Sequence, residues 1–153
     1  MNEKEAYNRA AAYCSTAEHC RSEVMEKLQR WEVAPAEAER IVRRLTEERF
    51  IDEARYSRAF VRDKYRFAKW GKTKIMTALR TKQIDTDTAR AALDSIDEEE
   101  YLDILRNLLA AKRRTVSGAN DYQRTGKLIR FALGRGYEMQ DIRRYLSVEG
   151  IDD

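Results

Sequence analysis

Three stretches of the chain decide its fold: 24-VMEKLQRWEVAPAEAERIV-42, 75-IMTALRTKQIDTDTARAAL-93 and 128-LIRFALGRGYEMQDIRRYL-146. Take Val33, Ile84 and Tyr137 as reference points, 51 and 53 residues apart. Nine residues upstream stand Val24, Ile75 and Leu128; five upstream, Leu28, Leu79 and Ala132. Downstream by five come Ala38, Ala89 and Ile142; by eight, Ile41, Ala92 and Tyr145; by nine, Val42, Leu93 and Leu146. These offsets are the one-face pattern of two short amphipathic helices joined at a turn. One copy is too small to bury a stable core, so copies must pack on one another and create surface rather than a pocket.

Working outward, each copy gains a preceding helix, which predicts an all-α chain of three tandem three-helix repeats forming an elongated, curved array. The repeats fall at 1–51, 52–96 and 97–153. One proline and six glycines in 153 residues favour helices with tight connections over strands. In the first repeat, helices are expected over 3–14 (Ala6, Ala10, Tyr13 and Cys14 on one face), up to Trp31, and from Pro35 to Arg49. Ser15-x-x-Glu18 fits a capping box that restarts the chain there. In the second, Asp52 caps a helix over 53–68, Trp70-Gly71 breaks it, and helices follow over 72–83 and 87–95. In the third, the acidic run Asp97-Glu98-Glu99-Glu100 opens a helix to Arg114 whose Leu102, Leu105, Leu108 and Leu109 face inward. Helices over 121–134 and 139–148 complete it.

Charge is strongly blocked along the chain. Residues 54–84 carry +9, 85–105 carry −7 and 106–144 carry +7. A helix surface needs only mixed charge to stay in solution, so the segregation reads as a footprint for a polyanion or an acidic protein groove. Between Arg55 and Lys82, Arg55, Arg58, Arg62, Lys64, Arg66, Lys72, Lys74 and Lys82 interleave with Tyr56, Phe60, Tyr65, Phe67 and Trp70. On one helix Arg55, Arg58, Arg62 and Arg66 form a single stripe. Cations there can neutralise phosphates and aromatics can stack on unpaired bases. Against that, Tyr56 and Phe60 suit a core. The stripe itself stays open between direct nucleic-acid contact and an acidic protein. Lys112, Arg113, Lys127 and Arg130 form a second basic group in the third repeat.

Catalytic chemistry finds little support. Gly71-Lys72-Thr73 imitates the end of a phosphate-binding loop, but Arg66 stands where the first glycine is needed and no strand precedes it. His19 is the only histidine, and Cys14 and Cys20 lack metal-ligand spacing, so they are expected as reduced side chains. No catalytic residue, metal or cofactor is expected. Without a long apolar run or a leader segment, the expected location is the cytoplasm, away from membranes.

Phe50-Ile51-Asp52-Glu53-Ala54-Arg55-Tyr56-Ser57-Arg58-Ala59-Phe60-Val61-Arg62, followed by Gly71-x-x-Lys74-Ile75-x-x-x-Leu79-x-x-Lys82-Gln83-Ile84, closely resembles the central signature of the RecX family. The likeness extends through Glu23-Val24-x-x-x-Leu28 and Phe131-Ala132-Leu133-Gly134-Arg135-Gly136-Tyr137. The chain departs from that pattern at Glu53 (usually Asp), Ser57 (usually Ala) and Gln83 (usually Gly), the last implying that the turn after the fifth helix need not be left-handed. The resemblance implies a regulator that binds RecA and the RecA–single-stranded DNA filament and lowers ATPase, strand-exchange and coprotease activity; the tandem repeat adds the expectation of a monomer, and the basic stripe that of weak direct nucleic-acid binding. The other reading of the residues is a stand-alone DNA- or RNA-binding helical module.

Overall fold

The 19-residue repeat ends its first helix with the same hydrogen-bonded corner three times. The N–H groups of Val33, Ile84 and Tyr137 reach back to the carbonyls of Leu28, Leu79 and Ala132 at 3.0, 3.1 and 3.1 Å. One residue earlier, Glu32, Gln83 and Gly136 donate to Gln29, Arg80 and Leu133, each at 2.9 Å. This is the Schellman termination, which places one residue in the left-handed region and an apolar contact across the corner. The left-handed residues are Glu32 (φ 61°), Gln83 (φ 65°) and Gly136 (φ 98°). The turn at Gln83 is therefore left-handed, contrary to the expectation from its missing glycine. Closing two orphan carbonyls and burying Ile84 against Leu79 outweighs a penalty of about 1 kcal/mol for an L-residue there.

The structure, a computed structural model, describes residues 1–146. Those residues are all-α: α1 (Glu3–Thr16), α2 (Arg21–Arg30), α3 (Pro35–Glu47), α4 (Glu53–Asp63), α5 (Lys72–Thr81), α6 (Thr86–Asp94), α7 (Glu98–Arg113), α8 (Asp121–Gly134) and α9 (Met139–Ile142). No strand occurs among the described residues. The last helix, expected over 139–148, ends at Ile142 and gives way to turns, and positions 147 and 148 lie outside the described residues. All the repeat positions at −9, −5, +5 and +9 are buried.

Packing divides the chain into two units, Met1–Phe60 with Leu79–Ala92, and Val61–Ala78 with Leu93 onward. In the first, Ala6 and Ala10 of α1 let that helix pack closely on Val24, Leu28, Ile41, Val42 and Leu45. The capping box lies five residues later than expected. α1 runs through Ser15, whose hydroxyl bonds back to the Ala11 carbonyl at 3.0 Å, and the Glu23 carboxylate instead accepts the Cys20 N–H at 3.1 Å. Glu23 also meets Lys82 Nζ at 3.1 Å and His19 Nδ1 at 3.3 Å. Burial pushes its pKa up, but the Cys20 N–H, Lys82 and His19 outweigh this and hold the carboxyl below its ordinary value. Ser57 is wholly buried and its hydroxyl has no partner among the described residues.

The second unit is organised by a backbone crossing. Gly71 N–H donates to the Arg135 carbonyl at 2.7 Å, and Thr73 N–H to that of Gly136 at 3.0 Å. Between them Lys72 N–H donates to the buried Tyr101 hydroxyl at 2.9 Å. A Cβ on Gly71 would stand 2.2 Å from the Gly136 carbonyl carbon, so only glycine fits. Tyr101 packs against Tyr137 and Tyr65, at ring separations of 5.3 and 6.3 Å, and Tyr137 donates its hydroxyl to the Lys69 carbonyl at 3.1 Å. Burial pushes the Tyr137 phenol up to about 12. On α7, Leu105 and Leu109 are buried as expected, while Leu102 and Leu108 are half-buried beside the wholly buried Tyr101.

The helix expected over 53–68 is also corrected. α4 stops at Asp63 and a π-helical turn, Lys64–Ala68, follows, ended by Lys69 in the left-handed region (φ 57°). The wider turn lets Tyr65 reach Tyr101 and brings the chain back to Gly71. It also breaks, between Arg62 and Arg66, the 3.6-residue spacing on which a single stripe depends.

Three outcomes follow from this packing. Gly71→Ala should cost about 3 kcal/mol or more in urea unfolding, the upper end for overpacking, because backbone rather than a side-chain tip must move. Gln83→Gly should add about 0.5–1 kcal/mol in the same assay, by relieving left-handed strain at an exposed site. Glu23 contributes stability that is present above its unfolded pKa of about 4.3 and is lost as pH falls through the lower folded value. The stability gap between wild type and Glu23→Gln should therefore narrow between about pH 5 and pH 3.

Candidate partner-binding surfaces

The cations singled out in the sequence meet different fates. In the first unit Arg55 is a structural residue. Its Nε sits 2.5 Å from Glu18 and its Nη2 donates to the Arg49 carbonyl at 3.1 Å, while its own N–H is capped by Asp52 at 3.0 Å. Lys82 is engaged by Glu23, and the Lys82 carbonyl accepts the Ser22 hydroxyl at 2.7 Å. Arg58 is exposed. Phe60, expected in the core, is half-buried and stacks on the buried Tyr56 ring at 5.9 Å.

In the second unit the acidic start of α7 folds onto the basic segment. Arg66 pairs with Glu100 at 3.1 Å and Lys72 with Glu98 at 2.7 Å, the Lys72 ammonium also lying 4.8 Å from the Tyr101 ring centroid. Glu100 in addition accepts the Tyr65 hydroxyl. Charge blocks that are separate in sequence are thus partly neutralised in space. Lys64 and Lys74 both bring their ammonium groups 4.6 Å from the Trp70 ring centroid. Arg62 is exposed.

The aromatics sort just as clearly. Tyr56 and Tyr65 are buried, Trp70 is half-buried under its two lysines, and Phe67 stands 79% exposed on the π-helical turn. An exposed phenylalanine in a helical turn of this rare type is the kind of anchor protein interfaces use. A shallow groove of about 410 Å³ opens nearby in the same unit, lined by Trp70, Lys74, Ala78, Leu133 and Gly134. Leu133, 46% exposed on α8, was not singled out from sequence, because its spacing matches neither face of the repeat.

Along α7 and α8, Lys112 lies 5.0 Å from the Phe131 ring centroid and Lys127 Nζ donates to the Ser117 carbonyl at 2.5 Å. Arg113 and Arg130 are exposed. The three consecutive N–H groups of Gly71, Lys72 and Thr73, which a phosphate would require, are all spent on protein acceptors. Cys14 and Cys20 are free thiols; burial pushes Cys14 up to about 11 and raises Cys20 as well, which keeps both protonated. Among the described residues no cluster of three His, Cys, Asp or Glu side chains is placed for a metal ion, and no helix is long and apolar enough to cross a membrane.

Comparison with known proteins assigns each repeat. Residues 6–45, 52–93 and 98–146 match the family models for the first, second and third three-helix domains of RecX. The regulatory protein RecX of Prosthecochloris aestuarii is 30% identical over 143 residues, covering 94% of this chain and 92% of that protein. Two crystal structures share the fold: one of regulatory protein RecX (TM-score 0.87, 21% identity, 94% of this chain and 72% of the other) and one of RecX from Lactobacillus salivarius (TM-score 0.82, 22% identity, 94% and 93%). With all three repeats matched by these family models and a near full-length relative at that identity, the chain belongs to the RecX family.

Proposed function

We propose that this protein binds RecA and the filament RecA forms on single-stranded DNA, and lowers its ATPase, recombinase and coprotease activities, so restraining DNA repair and the SOS response. It acts in the cytoplasm as a monomer, by occupancy rather than by turnover. Family membership supports the reading, since relatives carry the name regulatory protein. The observation that carries it is the segment from α4 to α5 in the second unit. Arg62, Phe67 and Lys74 stand exposed there, while the remaining aromatics of that segment are buried or covered by lysines. An apolar anchor among cations suits a protein groove lined with carboxylates.

Arg62 and Lys74 are better probes than Arg55, Arg66 or Lys72, whose loss would leave a carboxylate unpaired within the fold. A charge pair in a partly desolvated groove is worth about 1–3 kcal/mol, so reversing two should weaken binding more than tenfold. Arg62→Glu with Lys74→Glu should relieve inhibition of ATP hydrolysis by preformed RecA filaments while moving stability by only about 0.5 kcal/mol. Rising salt should weaken the wild type more steeply than the double variant. Undiminished inhibition by the double variant would overturn this assignment.

A further inference from the structure

The two basic regions of the second unit differ in what opposes them. Around the start of α5, two cations face carboxylates: Arg66 faces Glu100 and Lys72 faces Glu98. Where α7 ends and along α8, three cations are engaged by neutral groups, whereas Arg106, further back on α7, pairs with Asp103 at 3.2 Å. Lys112 lies over Phe131, Lys127 donates to the Ser117 carbonyl, and Arg124 donates to the Gly118 carbonyl at 2.9 Å. Arg113, Arg114 and Arg130 are exposed. Across these six side chains, the one carboxylate paired among the described residues is Asp121, on Arg124, and its own side chain is 96% exposed. A carbonyl or a ring holds a cation in place without cancelling its charge, so this face keeps nearly all of its positive potential.

Geometry gathers that charge. Arg124, Lys127 and Arg130 recur every three residues along α8, and α7 delivers Lys112 and Arg113 from its last turn and Arg114 from its C-cap. Contact with Phe131 brings Lys112 onto α8, since Phe131 lies one turn beyond Lys127. Phe131, the ring these cations touch, is covered by Lys112 and by the Arg135 guanidinium 5.4 Å away, and the exposed apolar side chains of α8 stand at its two ends, Tyr122 in the first turn and Leu133 in the last. Between those ends the face is uncompensated charge, the pattern that holds a phosphate backbone independently of base sequence.

We propose that the last turn of α7 and the outward face of α8 bind the phosphodiester backbone of a nucleic acid, leaving the segment around Phe67 to contact protein. The proposal rests on the filament reading for its setting and adds which cations face nucleic acid.

The test uses the full chain with a 20-nucleotide single strand and with a 20-base-pair duplex, each in two unrelated sequences, followed by fluorescence anisotropy across a salt series. Arg113→Glu with Arg130→Glu, both at exposed positions, should weaken binding more than tenfold. The slope of log affinity against log salt should become shallower by about 1.4 for the single strand and about 1.8 for the duplex. Whichever of the two binds more tightly identifies the form of backbone, and base sequence should matter little. Arg62→Glu with Lys74→Glu should leave this binding within about twofold, the near-additive result for a separate site. The inference is overturned if the wild type binds neither nucleic acid, if Arg113→Glu/Arg130→Glu binds as well as wild type, or if polyglutamate of equal charge competes as well as the single strand. Inhibition of RecA ATPase by a wild type that binds no nucleic acid would sink this inference and spare the filament reading; nucleic-acid binding without inhibition would do the reverse.

Discussion

The close approach of Gly71 to Gly136 is the constraint on which the second unit depends. Neither residue can carry a side chain, since a Cβ on Gly71 would enter the Gly136 backbone and one on Gly136 would come 2.5 Å from the Lys74 Cβ. From that contact the rest follows in order. The N–H groups of residues 71–73 are satisfied, Tyr101 is drawn in as an acceptor, and the Tyr137 hydroxyl and Arg135 guanidinium reach the carbonyls of Lys69 and Ala68. The π-helical turn is what delivers the chain to this point. Phe67 is exposed as a consequence, because the turn that buries Tyr65 leaves the residue two further on without a neighbour to cover it.

A second economy lies in the helix ends. α3 closes with the same corner as the repeat, Phe50 donating to Leu45 at 2.9 Å and Arg49 standing at φ 64°. Glu32, Arg49 and Gln83 all accept left-handed geometry without being glycine. The gain is a satisfied helix end and an apolar contact sealed across it, repeated wherever one helix must turn sharply into the next.

Much of this was legible in the sequence because it is local. The recurring offset of five residues is the apolar contact of the Schellman corner, and the offsets of nine and five mark helix faces; the positions at −9, −5, +5 and +9 are all buried, while Val33 and Tyr145 are half-buried. What escaped was either long-range or decided by small energies. Gln83 looked free to avoid the left-handed region, since glycine's preference there is worth only about 1 kcal/mol and its absence says little about which conformation wins. Gly71 read as half of a phosphate loop, because its real partner is far along the chain. Arg66 and Lys72 read as free charge because counting along the chain separates them from Glu100 and Glu98, which the fold places against them. Tyr101 was hidden between an acidic run and a leucine pattern, and only the packing of three tyrosines reveals why that position is wholly buried.

The chain contains two tryptophans, and the division of the fold gives one to each unit: Trp31 in the first and Trp70 in the second. Each indole also lies close to cations, Trp31 beside the Arg9 guanidinium at 4.1 Å and Trp70 beside Lys64 and Lys74. Indole emission responds to nearby charge and to the loss of surrounding protein. Each unit therefore carries its own optical reporter, and the cation–π contacts make that reporter sensitive to whatever draws the lysines or the arginine away. For Trp70 the same two lysines flank the exposed segment around Phe67, so docking there would change the light emitted by a residue the chain already has, with no label attached.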